Sequence, residues 1–281
     1  MKERREEKME LLIIDQAKCC HDGLCVKECP AAVIQMSSEG FPQIIQGRKA
    51  NCFDCGHCLA VCPTGALNHA RIPTEASPAI RDDLKISEEQ TLQFIRSRRS
   101  MRHFLDKPVE REKIIKAVKA ARYAPTAGNS QMVEWFVIDD KAKMKKISEM
   151  TVDWLRQITK DPQVVAASPY LPMVVAAWDA GFDSVLRGAP ALVIAAVNKQ
   201  AIFGKVDLMI ALSYFDLYAP AIGLGTCWAG LLEGAMVNSP ELTAFIGLPE
   251  THTSHYPLML GYPETKYYRV PERKEPKIVF A

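Results

Sequence analysis

Residues 52–63 read CFDCGHCLAVCP, and residues 19–30 read CCHDGLCVKECP. Laid together, Cys19, Cys25, Cys29 and Pro30 fall on Cys52, Cys58, Cys62 and Pro63, at a constant offset of 33 residues (52 − 19). The echo runs on, with CPAAVI at 29–34 matching CPTGAL at 62–67, so this region is an approximate twofold repeat. One pair breaks the match: Asp22 falls on Cys55, and an extra thiol, Cys20, sits two residues before the aspartate. Eight of the nine cysteines lie between 19 and 62, and Cys227 stands apart. The lead MKERREEKME is charged, and the LLII after it is too short for a secretory signal, so the expected compartment is the reducing cytoplasm. Clustered cysteines there point to metal rather than to disulfides.

The second copy satisfies C-x-x-C-x-x-C-x-x-x-C-P in full, the spacing of the bacterial ferredoxin run. Three thiolates at three-residue steps wrap one face of a cuboidal iron–sulfur cluster, and the fourth crosses to the other cluster. By that rule Cys29, Cys52, Cys55 and Cys58 hold one 4Fe–4S cluster. Cys19, Cys25 and Cys62 hold a second, with the place of Asp22 open. Asp22 is an oxygen ligand, harder than thiolate, that leaves its iron labile; or Cys20 swings in instead; or the site holds a 3Fe–4S cluster with Asp22 facing the vacant corner. A cap on the local turn is the plain alternative. The three-residue step favours Asp22 over Cys20. Zinc ribbons use paired C-x-x-C units with longer gaps and fit poorly. Between the copies, SSEGFPQIIQG reads as a short hairpin with Gly40 and Pro42 as turn signals.

Past the repeat, ARIPTEASPAIRDDLK at 70–85 is proline-bearing, charged and without periodicity. The expected organisation is a cluster domain over 9–72, a linker over 73–86 and a second domain over 87–281. Ser87-Glu88-Glu89-Gln90 is a capping box that opens a helix, which ends in the basic run RSRRSMRHF at 96–104. A second helix carries Ile114, Ile115, Val118 and Ala121 at helical spacing and stops at the turn-rich APTAGNSQ, 124–131. VEWFVI at 133–138 is a strand, and a basic helix follows around 141–150. Residues 151–186, with Pro162, Pro169 and Pro172, read as irregular. GAPALVIAAV ends in a buried strand, 204–222 is a long apolar helix, and GLGTCWAG is a glycine-rich loop into a short strand. Ser239-Pro240-Glu241 starts a short helix, PLMLGYP is the last core strand, and a basic tail follows. Helices and short strands interleave without regular βαβ spacing, so the expected class is an α+β layer fold. There is no G-x-G-x-x-G and no P-loop. A net charge of +2 makes no case for nucleic acid, and the apolar runs are strand-sized, which makes none for a membrane span.

Four motifs in order, RRSMRHF at 98–104, APTAGNSQ at 124–131, GLGTCWAG at 223–230 and GYPETKYYRVPER at 261–273, resemble the nitroreductase family. With the cysteine repeat, nearly the whole chain looks like the ferredoxin-fused, nitroreductase-like flavoproteins of anaerobes. The resemblance implies FMN at the interface of a homodimer, in a fold with a central, mostly antiparallel sheet flanked by helices. Arg98, Arg99, Arg102 and the Ser100 hydroxyl then match a phosphate dianion, with Arg269 as a further partner and Lys266 and Arg273 behind it. Asn129 and Gln131 belong to the polar edge of the flavin. The backbone around Trp228, Ala229 and Gly230 is where such proteins bring an N–H to flavin N5. The family's QPW appears here as Gln131-Met132-Val133, which unsettles the role of Gln131. Tyr267 stands where relatives carry the first of two basic residues.

Set against these, RSRRSMRHF alone reads equally as a solvated helix end facing its dipole. Cys227 reads as a packing residue, His57 and His69 as incidental, Trp154 and Trp178 as core, and Asp207 and Asp216 as polar-face or capping residues. The leading expectation is an enzyme without a protein acid in the chemistry. Reduced ferredoxin or a similar donor feeds the clusters, the clusters feed FMN, and FMN reduces a small electron-poor acceptor such as a nitroaromatic or quinone. One rival takes electrons from NAD(P)H and uses the clusters as exit wires. The other is a non-enzymatic electron-transfer or redox-sensing module.

Overall fold

The structure is a computed structural model that describes residues 10–72 and 74–281. Most of the charged lead, the predicted domain start at residue 9, and Pro73 of the linker lie outside the described residues. The chain divides into two compact units. One takes residues up to Lys85 together with Gly128–Ser130, and the other takes Ile86–Ala127 and Gln131–Ala281.

The first unit is built twice. β1 (Leu12–Ile14) pairs antiparallel with β4 (Leu67–His69), and β2 (Ile34–Met36) pairs antiparallel with β3 (Pro42–Ile44). The β2–β3 pair is the hairpin expected from SSEGFPQIIQG, turning through Gly40 at φ 83. The repeat offset survives in space: the one-turn helix α1 (Leu24–Lys27) has its counterpart in α2 (His57–Ala60). Each opens behind a glycine in the left-handed region, Gly23 at φ 68 and Gly56 at φ 72, which side chains resist. The buried apolar cluster is small: Leu12, Val33, Ile34, Leu67 and two of the cysteines, Cys25 and Cys58.

The second unit is three layers. Its sheet runs β5 (Val133–Ile138), β6 (Ala191–Val197), β8 (Ser254–Gly261) and β7 (Gly225–Trp228), antiparallel at every pairing. All seven residues of β6 are buried, so this strand is apolar on both faces. Leu192, Ile194 and Ala196 face one core, with α5 (Lys141–Ile158), α9 (Gly230–Asn238) and α10 (Pro240–Ile246) over it. Val193, Ala195 and Val197 face the other, under α4 (Arg111–Ala121) and α8 (Gly204–Tyr218). Each fully buried Leu or Ile contributes roughly 1.5–3 kcal/mol. The Ser87/Gln90 capping box forms and starts α3 (Glu88–Ser97).

One expectation needs correction, and two need filling out. Residues 151–186 are mainly helical, because α5 runs on to Ile158 and is followed by α6 (Pro162–Ala167) and α7 (Leu171–Asp179). Pro162 and Pro172 stand in first turns, where the missing N–H has no intrahelical partner to lose, and Asp161 caps α6 by accepting from the Gln163 N–H. A helix, α9, directly follows the short strand of GLGTCWAG. The helix α3 ends in the basic run as expected, with Arg98 as its C-cap, and the run then continues extended: Ser100 bridges Thr226 of β7, and the Met101 N–H donates to the Thr226 carbonyl at 2.8 Å.

Candidate functional site

In the first unit two cavities divide the cysteines. Cys29, Cys52, Cys55 and Cys58 line one, and Cys19, Cys20, Asp22, Cys25 and Cys62 line the other. This is the crossed grouping: the last cysteine of each run sits with the first three positions of its twin. Burial pushes the Cys58 thiol up to about 11, and the charges of Cys52, Cys55 and Cys29 push the same way. Burial raises the Cys52 thiol as well, and four converging sulfurs are a donor set suited to a cationic cluster, which offsets both penalties. The residues present therefore fit two iron–sulfur clusters.

Asp22 does cap its turn, accepting from the Leu24 N–H at 3.0 Å, and its other oxygen accepts from the Cys20 thiol at 3.3 Å. That hydrogen bond raises the Cys20 pKa and leaves the thiol less ready to act as a ligand. His69, which the sequence left as incidental, is 1% exposed and lies against Cys52, its Nε2 3.6 Å from the sulfur. Arg71 pairs with Asp54 beside it at 2.9 Å. Asn129 also belongs to this unit, donating to the Phe53 and Asp54 carbonyls at 3.0 Å each.

In the second unit one cavity gathers Arg98, Arg99, Ser100 and Arg102 with Tyr267 and Arg273. Arg269 is not among its lining residues; Arg273, the less favoured tail arginine, is. Glu272 also lines it and was not foreseen. Nη2 of Arg99 is buried with no hydrogen-bond partner among the described residues. An arginine-rich cavity lined by a residue with one buried, unpartnered guanidinium nitrogen has the chemistry of an anion site. A phosphate monoester such as that of FMN fits the donor set.

The helix α8 organises this region through two buried carboxylates, both 4% exposed. Asp207 accepts from the Ala127 N–H at 3.1 Å and so pins the APTAGNSQ loop. Asp216 accepts from the Thr226 hydroxyl and from the Trp228 indole N–H at 2.9 Å, and lies 3.4 Å from Arg98. Sequence pattern marked these aspartates as polar-face residues, because nothing in a helical period announces a buried hub. The Gln131 N–H donates to the Thr126 hydroxyl at 3.0 Å, and the residue sits at φ 50. The Ala229 N–H is spent on the Pro257 carbonyl at 3.1 Å. Gly230 opens α9, whose first-turn amides lack intrahelical acceptors. Of the glycines of GLGTCWAG, Gly225 is there for packing: a Cβ on it would stand 2.5 Å from Met101 Cγ. Cys227 is buried in a core, as expected, and Trp154 packs against the same core. Trp178 lines a larger cavity that holds none of the predicted site residues. Among the described residues no helix is long and apolar enough to cross a membrane.

Comparison with known proteins agrees with both units. The nitroreductase family profile matches residues 95–262, and a 4Fe-4S dicluster domain profile matches residues 18–67. The chain is similar to an Archaeoglobus fulgidus protein named for NADH dehydrogenase or NAD(P)H nitroreductase activity, 27% identical over 197 residues, covering 67% of this chain and 95% of that one. A ferredoxin of Pyrobaculum islandicum is 35% identical over 71 residues, covering 25% of this chain and 61% of that one. A nitroreductase of Bacteroides fragilis solved with bound FMN shares the fold, with TM-score 0.55 at 22% identity over 70% of this chain and 100% of that one. The chain therefore belongs to the nitroreductase family, with a 4Fe-4S dicluster domain ahead of the family domain.

Proposed function

We propose that the protein is an iron–sulfur flavoprotein oxidoreductase that takes single electrons from reduced ferredoxin or a similar donor and delivers a hydride equivalent to a small electron-poor organic acceptor, such as a nitroaromatic or quinone. When bound, the two clusters supply one-electron transfer and FMN supplies the conversion to two-electron chemistry. The observation that carries the flavin half is the cavity lined by Arg98, Arg99, Ser100 and Arg102, one of whose guanidinium nitrogens, Arg99 Nη2, has no partner among the described residues. Arg98, Arg99, Arg102 and the Ser100 hydroxyl grip the phosphate, with Arg273 from the tail favoured over Arg269 by its place on the cavity. Gly230 is the favoured N–H donor to the ring, because the Ala229 amide is committed elsewhere. Gln131 and Trp228 remain the expected neighbours of the flavin, whereas the Asn129 amide is committed to the Phe53 and Asp54 carbonyls; a homodimer is the expected assembly. In the cluster domain Asp22 takes the fourth corner of the Cys19–Cys25–Cys62 site, with Cys20 as the runner-up.

The test is iron, acid-labile sulfide and FMN on protein purified without oxygen. About eight irons per flavin is expected. About seven, with a three-iron EPR signal, would mean that the Asp22 corner is vacant. Arg99→Ala should lose FMN on gel filtration with its iron intact; full retention of FMN would remove the assigned phosphate role. A second reading, direct reduction by NAD(P)H with the clusters as exit wires, is favoured by the name of the Archaeoglobus fulgidus relative. Rapid bleaching of the flavin by NADH alone would put that reading first. Bleaching by reduced ferredoxin with no organic compound able to reoxidise the flavin would leave only an electron-transfer module.

A further inference from the structure

We infer that His69 sets the two clusters at unequal potentials, donating its Nε2 hydrogen to the Cys52 sulfur and raising the potential of the Cys29–Cys52–Cys55–Cys58 cluster above that of its twin. This rests on the cluster reading given above. The imidazole Nδ1 lies 3.3 Å from the Arg71 backbone nitrogen and accepts its N–H. A ring nitrogen that accepts carries no hydrogen, so the single hydrogen of the ring is on Nε2. Nε2 stands 3.6 Å from Cys52 Sγ, within reach of a large sulfur acceptor. Asp54 Oδ1 stands 3.7 Å from the same nitrogen, beyond hydrogen-bond reach for oxygen. The other Asp54 oxygen is held by Arg71. The same three side chains are close enough for a lone metal ion, but Cys52 also lines the four-cysteine cavity. A hydrogen bond to a ligand sulfur draws electron density from the cluster and favours the form holding the extra electron.

The repeat contains its own control. β2 and β4 are counterparts, and the residue 33 positions before His69 (69 − 36) is Met36. A thioether has no N–H to give. Cys19, the counterpart of Cys52, therefore has no matching donor from that position. Added electrons settle first on the cluster that His69 serves, which gives the cluster pair a direction.

The experiment is an EPR-monitored redox titration of anaerobic holoprotein, comparing wild type with His69→Met, which copies the twin, and with His69→Gln, which keeps an N–H. In His69→Met one midpoint should fall by a tenfold change in the reduction equilibrium, about 59 mV for one electron. The other midpoint should stay put, and His69→Gln should recover part of the fall. Unchanged midpoints, or equal shifts in both, overturn the inference. If His69→Met does not keep its iron, wild-type protein with 15N-histidine decides. A 15N coupling and an exchangeable-proton coupling to one reduced cluster support the bond, and their absence overturns it. Wild-type protein that binds no iron at all would defeat the cluster reading itself, and this inference with it.

Discussion

In the cysteine-rich unit the buried cluster is six residues, two of them cysteines, whereas in the sheet unit all seven residues of β6 are buried and each face of the sheet has its own core. The contrast shows two ways of holding a chain in one shape. A domain of about 60 residues buries only about 60% of its unfolded surface and is marginal without help. Here the help is the metal that the converging thiols are arranged to take. The sheet unit is large enough to stand on apolar burial.

The largest effect expected from this contrast is on metal removal. Chelation of iron should abolish hydrogen-exchange protection across residues 12–69 and leave β6 and β8 protected; loss in both, or in neither, would erase the distinction. Next is Leu192→Ala, in β6 and fully buried. It should cost the sheet unit about 2–5 kcal/mol in denaturant unfolding while iron content holds. Gly56→Ala forces a side chain into the left-handed region before α2, at a cost of about 1–2 kcal/mol. It should speed iron loss to a chelator and leave the sheet unit's midpoint unchanged. The smallest effect is electrostatic. The Arg111 guanidinium on Asp139 holds that carboxyl below its ordinary value. Its folded pKa is depressed, so the pair's contribution is present above the unfolded carboxylate pKa and fades as the pH falls through the folded one. Arg111→Ala should therefore lower the sheet unit's stability only slightly at neutral pH, because solvent screens so exposed a pair. That difference should vanish in acid, as read from melting curves across pH.

Much of this was legible in residue spacing. The 33-residue offset is seen again in α1 against α2 and in β2 against β4, because a repeat in sequence is a repeat in local structure. The capping box and the strand at 133–138 were legible because their signals are local. Residues 151–186 were misread because proline was taken for a breaker, where a first-turn proline is a starter. His69 was passed over because 17 residues separate it from Cys52, and only the β1–β4 pairing brings its side chain back to the sulfur. Asp216 was passed over because the three groups it binds, Arg98, Thr226 and Trp228, come from two distant segments. The basic run 98–104 was legible in composition and not in conformation, because its extended path depends on β7, more than a hundred residues away.

That extended path has a practical side. The segment carrying Arg98 and Arg99 toward the cavity is the same one that lies along the outer edge of β7, through the Ser100–Thr226 bridge and the Met101 amide. Arg98, Arg99 and Arg102 put three like charges on the segment that covers that edge, only Arg98 lies against a carboxylate, Asp216, and an anion bound in the cavity relieves their repulsion. A strand edge stripped of its cover is a template for pairing with another chain. Solubility during purification thus becomes a property of the anion site, and stocks kept with excess phosphate-bearing ligand should stay clear where dialysed stocks turn cloudy.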